Sequence, residues 1–265
     1  MTPAPFIRLN NIDLYYSSLA FRDNSLKGFV LNRITGMHQQ QINDIHALKH
    51  LTLEIKEGER VALLGHNGAG KTTLLKAIAG LYPINNGTID VHGDIRSLFD
   101  ISLGFEPEST GRENILYRGL LLGQSPKRMQ EIEDEIINFA DIGDFIDYPV
   151  KTYSAGMQVR LAFAISTAIP GDILLLDEVI GAGDAAFMVK AKARIGELIA
   201  QANIMMLASH DFSSVQSLCN RAIVLDHGNL VFDGNVIEGI QICQRLQGIN
   251  NSSLISNEEC LKPGE

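Results

Sequence analysis

The chain has 265 residues, 45% of them hydrophobic, and its 22 basic against 31 acidic residues leave a formal net charge of -9. That content can bury a sizeable core and excludes global disorder, while the acidic balance offers no basic face, so no nucleic-acid partner is expected. No apolar run reaches the roughly 18 residues of a membrane span, the Met1–Pro5 start lacks the basic and apolar regions of a secretory signal, and the scattered Cys219, Cys243 and Cys260 suit a reducing compartment rather than a disulfide framework.

In chain order, the first stretch is the hardest to read. Residues Tyr15 to Ala47 mix isolated apolar side chains with Ser, Asn, Gln and His and are expected to form a long surface excursion before a strand at Leu51–Ile55. Val61–Leu64 then reads as a buried strand, Lys71–Leu81 as a helix, and Gly87–Val91 as a return strand after the Asn85-Asn86-Gly87 turn. From about Asp100 to Ile169 the character changes to helix. Thr110 and Glu113 form a capping box, and Ser125-Pro126 opens a helix whose Met129, Ile132, Ile136 and Phe139 recur at helical spacing. Strands return at Ile173–Leu176, Ile204–Ala208 and Ala222–Leu225, the last entering a hairpin through Asp226-His227-Gly228-Asn229. From Gly248 onward the Asn- and Ser-rich tail is expected to fray. Alternating strands and helices make this an α/β chain.

Gly65-His66-Asn67-Gly68-Ala69-Gly70-Lys71-Thr72 fits the phosphate-binding pattern of Gly, four residues, then Gly-Lys-Thr, and it lies between a predicted strand and a predicted helix. Small residues let backbone N–H groups wrap a phosphate chain at a helix N-terminus. Lys71 is expected to reach the β- and γ-phosphates and Thr72 to ligate Mg²⁺, with Thr73 beside it in the ATP site. Ile173–Leu176 runs straight into Asp177-Glu178. Ligands gather at the carboxyl ends of parallel strands, which puts both acids beside the phosphate loop. Asp177 is then a metal ligand, and Glu178 is free to polarise an attacking water.

Tyr153-Ser154-Ala155-Gly156-Met157-Gln158 resembles the signature segment of the ABC (ATP-binding cassette) ATPases, usually Leu-Ser-Gly-Gly-Gln; Ser154 and Gly156 match, and Tyr153, Ala155 and Met157 depart. The chemistry tolerates the departures, because a hydroxyl and free N–H groups at the start of a helix still face a γ-phosphate. The resemblance covers roughly Leu48 to Asp233. It implies a P-loop NTPase fold with an antiparallel β subdomain and a helical insert, residues 1–247 as one nucleotide-binding domain with the insert at about 100–169, and 248–265 as a short polar tail. It also implies a switch histidine at His210, a D-loop aspartate at Asp184, and ATP and Mg²⁺ as cofactors. Glu106 stands where the family usually has a metal-contacting Gln, and Tyr15, Tyr16 and His46 all remain open as the adenine-stacking ring.

Thr110-Gly111-Arg112-Glu113-Asn114, the Tyr-Ser-Ala-Gly-Met signature, and Asp177-Glu178-Val179 with Gly183-Asp184-Ala185-Ala186-Phe187 look like the bacterial polysaccharide exporters of that family. This implies a homodimer that sandwiches two ATP molecules, a separate transmembrane permease dimer, a lipid-linked polysaccharide cargo such as O-antigen, and a place on the cytoplasmic face of the inner membrane. Capsule or teichoic-acid export is the near alternative, and a soluble ABC protein uncoupled from transport the more distant one. The chain is expected to be too short for the carbohydrate-binding domain that some O-antigen members append.

Overall fold

A computed structural model describes residues 4–16, 44–99, 104–177 and 185–258. The elements are β1 (Phe6–Tyr16), β2 (Ile45–Lys56), β3 (Arg60–Leu64), α1 (Lys71–Ile78), β4 (Asn86–His92), β5 (Ile95–Ser97), α2 (Gly111–Leu121), α3 (Pro126–Ala140), α4 (Ala155–Thr167), β6 (Ile173–Asp177), α5 (Ala185–Gln201), β7 (Ile204–Ala208), α6 (Phe212–Leu218), β8 (Arg221–Asp226), β9 (Asn229–Asn235) and α7 (Val236–Glu258). They build two sheets. A six-stranded sheet has the order β5-β6-β7-β3-β8-β9, parallel except at the β8–β9 hairpin, and a three-stranded antiparallel sheet has the order β2-β1-β4.

Strand β3 is buried on both faces, which is why it reads as a continuous apolar run instead of an alternating one. Its side chains still alternate between two cores. Val61 and Leu63 join Leu74 and Leu75 of α1 and the apolar face of the antiparallel sheet, whereas Ala62 and Leu64 join Phe163, Phe187, Ile195 and Val215 on the opposite side. A third core lies within the insert, where Met129, Ile132 and Ile136 of α3 pack on Ile115 of α2 and on Leu161 and Ile165 of α4. Helix α4 serves both, because its Phe163 turns to the main core. The rings of Phe139, Phe163 and Phe187 then link insert to sheet, with centroids 5.7–5.9 Å apart.

Both expected caps form: Thr110 and Glu113 exchange the two bonds of a capping box, and Ser125 caps α3 with Pro126 at its first position. Three readings need correction. Helix α1 stops at Ile78 instead of Leu81, because Gly80 turns left-handed and Leu81 N–H closes back on the Lys76 carbonyl at 2.9 Å. The strand expected at Gly87–Val91 forms as β4 and pairs with β1 in the antiparallel sheet. Tyr15, Tyr16 and Ile45–Ala47 lie in β1 and β2, so the ladder reaches into the expected excursion from both sides; residues 17–43 lie outside the described residues. Helix α7 continues past Gly248 to Glu258, where fraying was expected. Among the described residues no helix is long and apolar enough to cross a membrane.

The loop before α2 is organised by a side chain that the sequence reading used only as part of a motif. Asn114 is fully buried; its Oδ1 accepts from Glu106 N–H at 2.7 Å, and its Nδ2 donates to the carbonyls of Glu106, Ser109 and Thr110 at 2.9–3.3 Å. Replacing it leaves backbone groups without partners in a dry site. Asn114→Ala is expected to lower unfolding free energy by about 2–4 kcal/mol, read from the shift of a urea denaturation midpoint.

Candidate active site

Three neighbouring parallel strands end together. Strand β3 leads into the phosphate loop, β6 ends on Asp177, and His210 follows β7. The loop leaves β3 through Gly65 at φ 147°, where a Cβ would lie 2.3 Å from the Leu225 carbonyl oxygen of β8. No other residue fits that approach. Lys71 is buried, and its Nζ donates to the carbonyls of Gly65 at 2.7 Å and His66 at 3.0 Å, with His210 Nε2 at 3.4 Å. Next to it, Thr72 Oγ1 donates to Asp177 Oδ2 at 2.6 Å. The hydroxyl and carboxylate read as metal ligands from sequence are therefore already in contact.

These groups line one cleft of about 680 Å³. Asn67, Gly68, Gly70, Lys71, Thr72, Thr73, Asp177 and His210 line it from the phosphate loop and the strand ends, and Tyr16 and His46 form a further wall together with Lys49, which sequence reasoning missed. Gly65, His66 and Ala69 are in the loop but not among the lining residues. The aromatic candidates separate. Tyr16 lines the cleft, its hydroxyl 2.9 Å from Thr73 Oγ1 and its ring edge-on to Tyr82, whereas Tyr15 stacks on His46 with centroids 4.0 Å apart and lies outside the lining. Burial raises the Tyr16 phenol above its ordinary range against the opposing Thr73 bond.

Behind this wall Asp13 is buried with two histidine partners: Oδ1 lies 2.7 Å from His46 Nε2 and Oδ2 lies 3.1 Å from His50 Nδ1. Burial pushes the carboxyl up, but the His50 N–H, the His46 ring and the nearby imidazole charges together outweigh it, and Asp13 sits below its usual range. No short motif marks this network; a lone Asp thirty-odd positions from two histidines gives no local signal.

Two expected site elements stay apart from the cleft. Ser154 caps α4, accepting from Met157 N–H at 3.3 Å, and both it and Gly156 are exposed on a surface that does not line the cleft. Glu106 is held by Asn114 at the insert loop and is likewise not a lining residue. Glu178 and Asp184 lie outside the described residues.

A glycine loop between a buried strand and a helix, with its lysine, threonine and a facing strand-end aspartate, defines a P-loop nucleotide-hydrolysing protein. The ABC transporter family model matches residues 48–181, and the chain belongs to that family and is an ATPase. It is 40% identical over 222 residues to the O-antigen export system ATP-binding protein RfbE of Yersinia enterocolitica, covering 82% of this chain and 93% of that one. It is 37% identical over 234 residues to the teichoic acids export ATP-binding protein TagH of Lactiplantibacillus plantarum, covering 88% of this chain but only 63% of TagH. The fold is similar to MJ0796, a bacterial ABC transporter cassette solved as a dimer, with a TM-score of 0.62 at 22% identity over 87% of this chain and 98% of that one.

Two measurements test this site. Lys71→Met and Asp177→Asn are each expected to lower ATP turnover at least about 100-fold, with the circular dichroism spectrum unchanged. For Asp13, whose carboxyl is held below its usual pKa, the stabilisation is complete above the ordinary carboxylate range and is lost as pH falls through the folded value. The stability deficit of Asp13→Asn relative to wild type should therefore be fullest at neutral pH and shrink below about pH 4, as read by urea titrations across that range.

Proposed function

We propose that this chain powers export of a lipid-linked polysaccharide, O-antigen in the first instance, across the bacterial inner membrane from its cytoplasmic face. The observation that carries the reading is the match to RfbE at 40% identity over 93% of that protein's length. The likeness to TagH supports a teichoic-acid cargo as the second reading, over the 63% of TagH that the chain spans. The transmembrane path in this reading belongs to a separate permease dimer.

The placement of the signature turn supports a two-copy mechanism. In one chain Ser154 and Gly156 do not reach the cleft, so a second copy, head to tail, brings its own Ser154 hydroxyl and helix N-terminus to the γ-phosphate held by Lys71. ATP then bridges the copies, and loss of phosphate after hydrolysis removes the attraction between them. His210 contacts the same phosphate in this reading, which its 3.4 Å approach to Lys71 Nζ supports. Glu178 is the proposed base that orients the attacking water.

Thr72 and Asp177 offer a hydroxyl and a carboxylate, the hard oxygen donors that suit Mg²⁺, and would hold it. When bound, the ion neutralises charge on the β- and γ-phosphate oxygens. Glu106 stays with the insert loop that Asn114 organises, a position suited to relaying motion to the permease.

The test is Glu178→Gln. The purified variant is expected to accumulate ATP-dependent dimers in size-exclusion chromatography with turnover reduced at least about 100-fold. Expressed with its permease in a strain lacking its own exporter, the wild-type chain restores surface polysaccharide and the variant does not. Wild-type turnover in the variant, or an active chain that restores no polysaccharide, overturns the reading.

A further inference from the structure

The phosphate loop carries a histidine that its phosphate chemistry does not use. His66 Nδ1 lies 2.7 Å from the Asn67 carbonyl oxygen. A carbonyl cannot donate, so Nδ1 carries the proton and, in the neutral ring, Nε2 is left as a lone pair. That Nε2 is shielded from solvent, has no hydrogen-bond partner among the described residues, and lies 3.2 Å from Asp226 Oδ1. A lone pair and a carboxylate oxygen at that separation repel, and either a second proton on the ring or a cation held between the two relieves the repulsion.

A third donor completes the group. His227 Nε2 is 4.0 Å from the same Asp226 oxygen, and its ring lies over that of His66 with centroids 4.4 Å apart. One ligand atom from each of His66, Asp226 and His227 falls within 4.8 Å of the others. His227 reaches this place from a left-handed backbone, φ 47°, followed by Gly228 at φ 82° in the two-residue β8–β9 turn. Such turns favour Asn or Asp before the glycine. The imidazole is thus presented from a position where its side chain has no role in forming the turn.

We propose that His66, Asp226 and His227 form a transition-metal site of zinc type, and that its occupancy clamps the phosphate loop to the β8–β9 turn and inhibits ATP turnover. Two imidazoles with one carboxylate select Zn²⁺-like ions over Mg²⁺, which prefers oxygen ligands and retains its waters. The His66 Nδ1–H on a backbone carbonyl is the supporting contact that metal-bound histidines commonly keep. Side-chain exposures of 23% for His66, 33% for Asp226 and 70% for His227 leave a way in for the ion. Closing the group needs movement chiefly of the exposed His227. The clamp acts on function because the turn already touches the loop: Gly228 N–H donates to the Ala69 carbonyl at 3.0 Å, and His227 also lines the nucleotide cleft.

The untagged full-length chain, free of nucleotide, is titrated with Zn²⁺ against a chromogenic chelator. One equivalent is expected to bind, and Mg²⁺ in excess should not displace it. Asp226→Asn and His227→Asn should each weaken binding by about tenfold or more; the second keeps a residue that the turn favours, so loss of binding there is not loss of fold. In zinc-buffered assays the free Zn²⁺ that halves each protein's own turnover should rise in parallel. No Zn²⁺ bound by the wild type, or equal binding after His227→Asn, overturns the site, and full turnover with one equivalent bound overturns the clamp.

Discussion

Burial of β3 on both faces is the constraint from which the rest of the molecule follows. Val61, Ala62, Leu63 and Leu64 are all fully buried, and a strand of that kind is stable only between other strands and between two layers of cover. Strands β7 and β8 supply the first, and α1 with the antiparallel sheet on one side and α4 and α5 on the other supply the second. Because a one-residue slip would exchange the side chains that fill the two differently packed cores, the point at which Gly65 leaves the strand is fixed. The loop, Lys71 and the start of α1 inherit that position.

The same constraint explains why so much of the site was legible before any coordinates. Ligand-binding groups gather at the carboxyl ends of neighbouring parallel strands, so a Gly-rich loop after one apolar run and an Asp after another were expected to meet, and Thr72 and Asp177 do so at 2.6 Å. Caps were legible for a related reason: Thr110 with Glu113 and Ser125 with Pro126 act over three or four residues. What the sequence hid is what acts over distance. Asn114 looks like one polar residue in a helical run, and its value comes from backbone groups that face it only after the insert loop folds. Asp13, His46 and His50 are joined by the β1–β2 ladder, whose register shifts between Leu9 and Ile12 and between Leu14 and Tyr15 follow no simple alternation. Tyr15 and Tyr16 were inseparable in sequence because adjacent strand residues differ only in the face they take, and packing decides which one meets the cleft.

The insert is attached differently from the antiparallel sheet. Its aromatic contact through Phe139, Phe163 and Phe187 is supplemented by Lys190 at Asp141 and by Arg194 at Glu135. Surface ion pairs add little to stability individually, and aromatic contacts tolerate a range of tilts. The signature turn opens α4, whose Phe163 is buried in the main core, so the insert and the sheet share that helix.

The β8–β9 turn brings these themes to a single residue. Gly228 donates to Ala69 in the phosphate loop and accepts from Lys49 in β2, and a Cβ on it would lie 2.5 Å from the Ala47 carbonyl oxygen. In sequence, Asp226-His227-Gly228-Asn229 is an ordinary surface hairpin, the sort of place where chains lengthen freely over evolution. Here the hairpin tip works as a spacer of fixed length between the wall that carries Tyr16 and His46 and the loop that carries Lys71. One added residue would change the spacing between that wall and the loop, and so the shape of the molecule that fits between them.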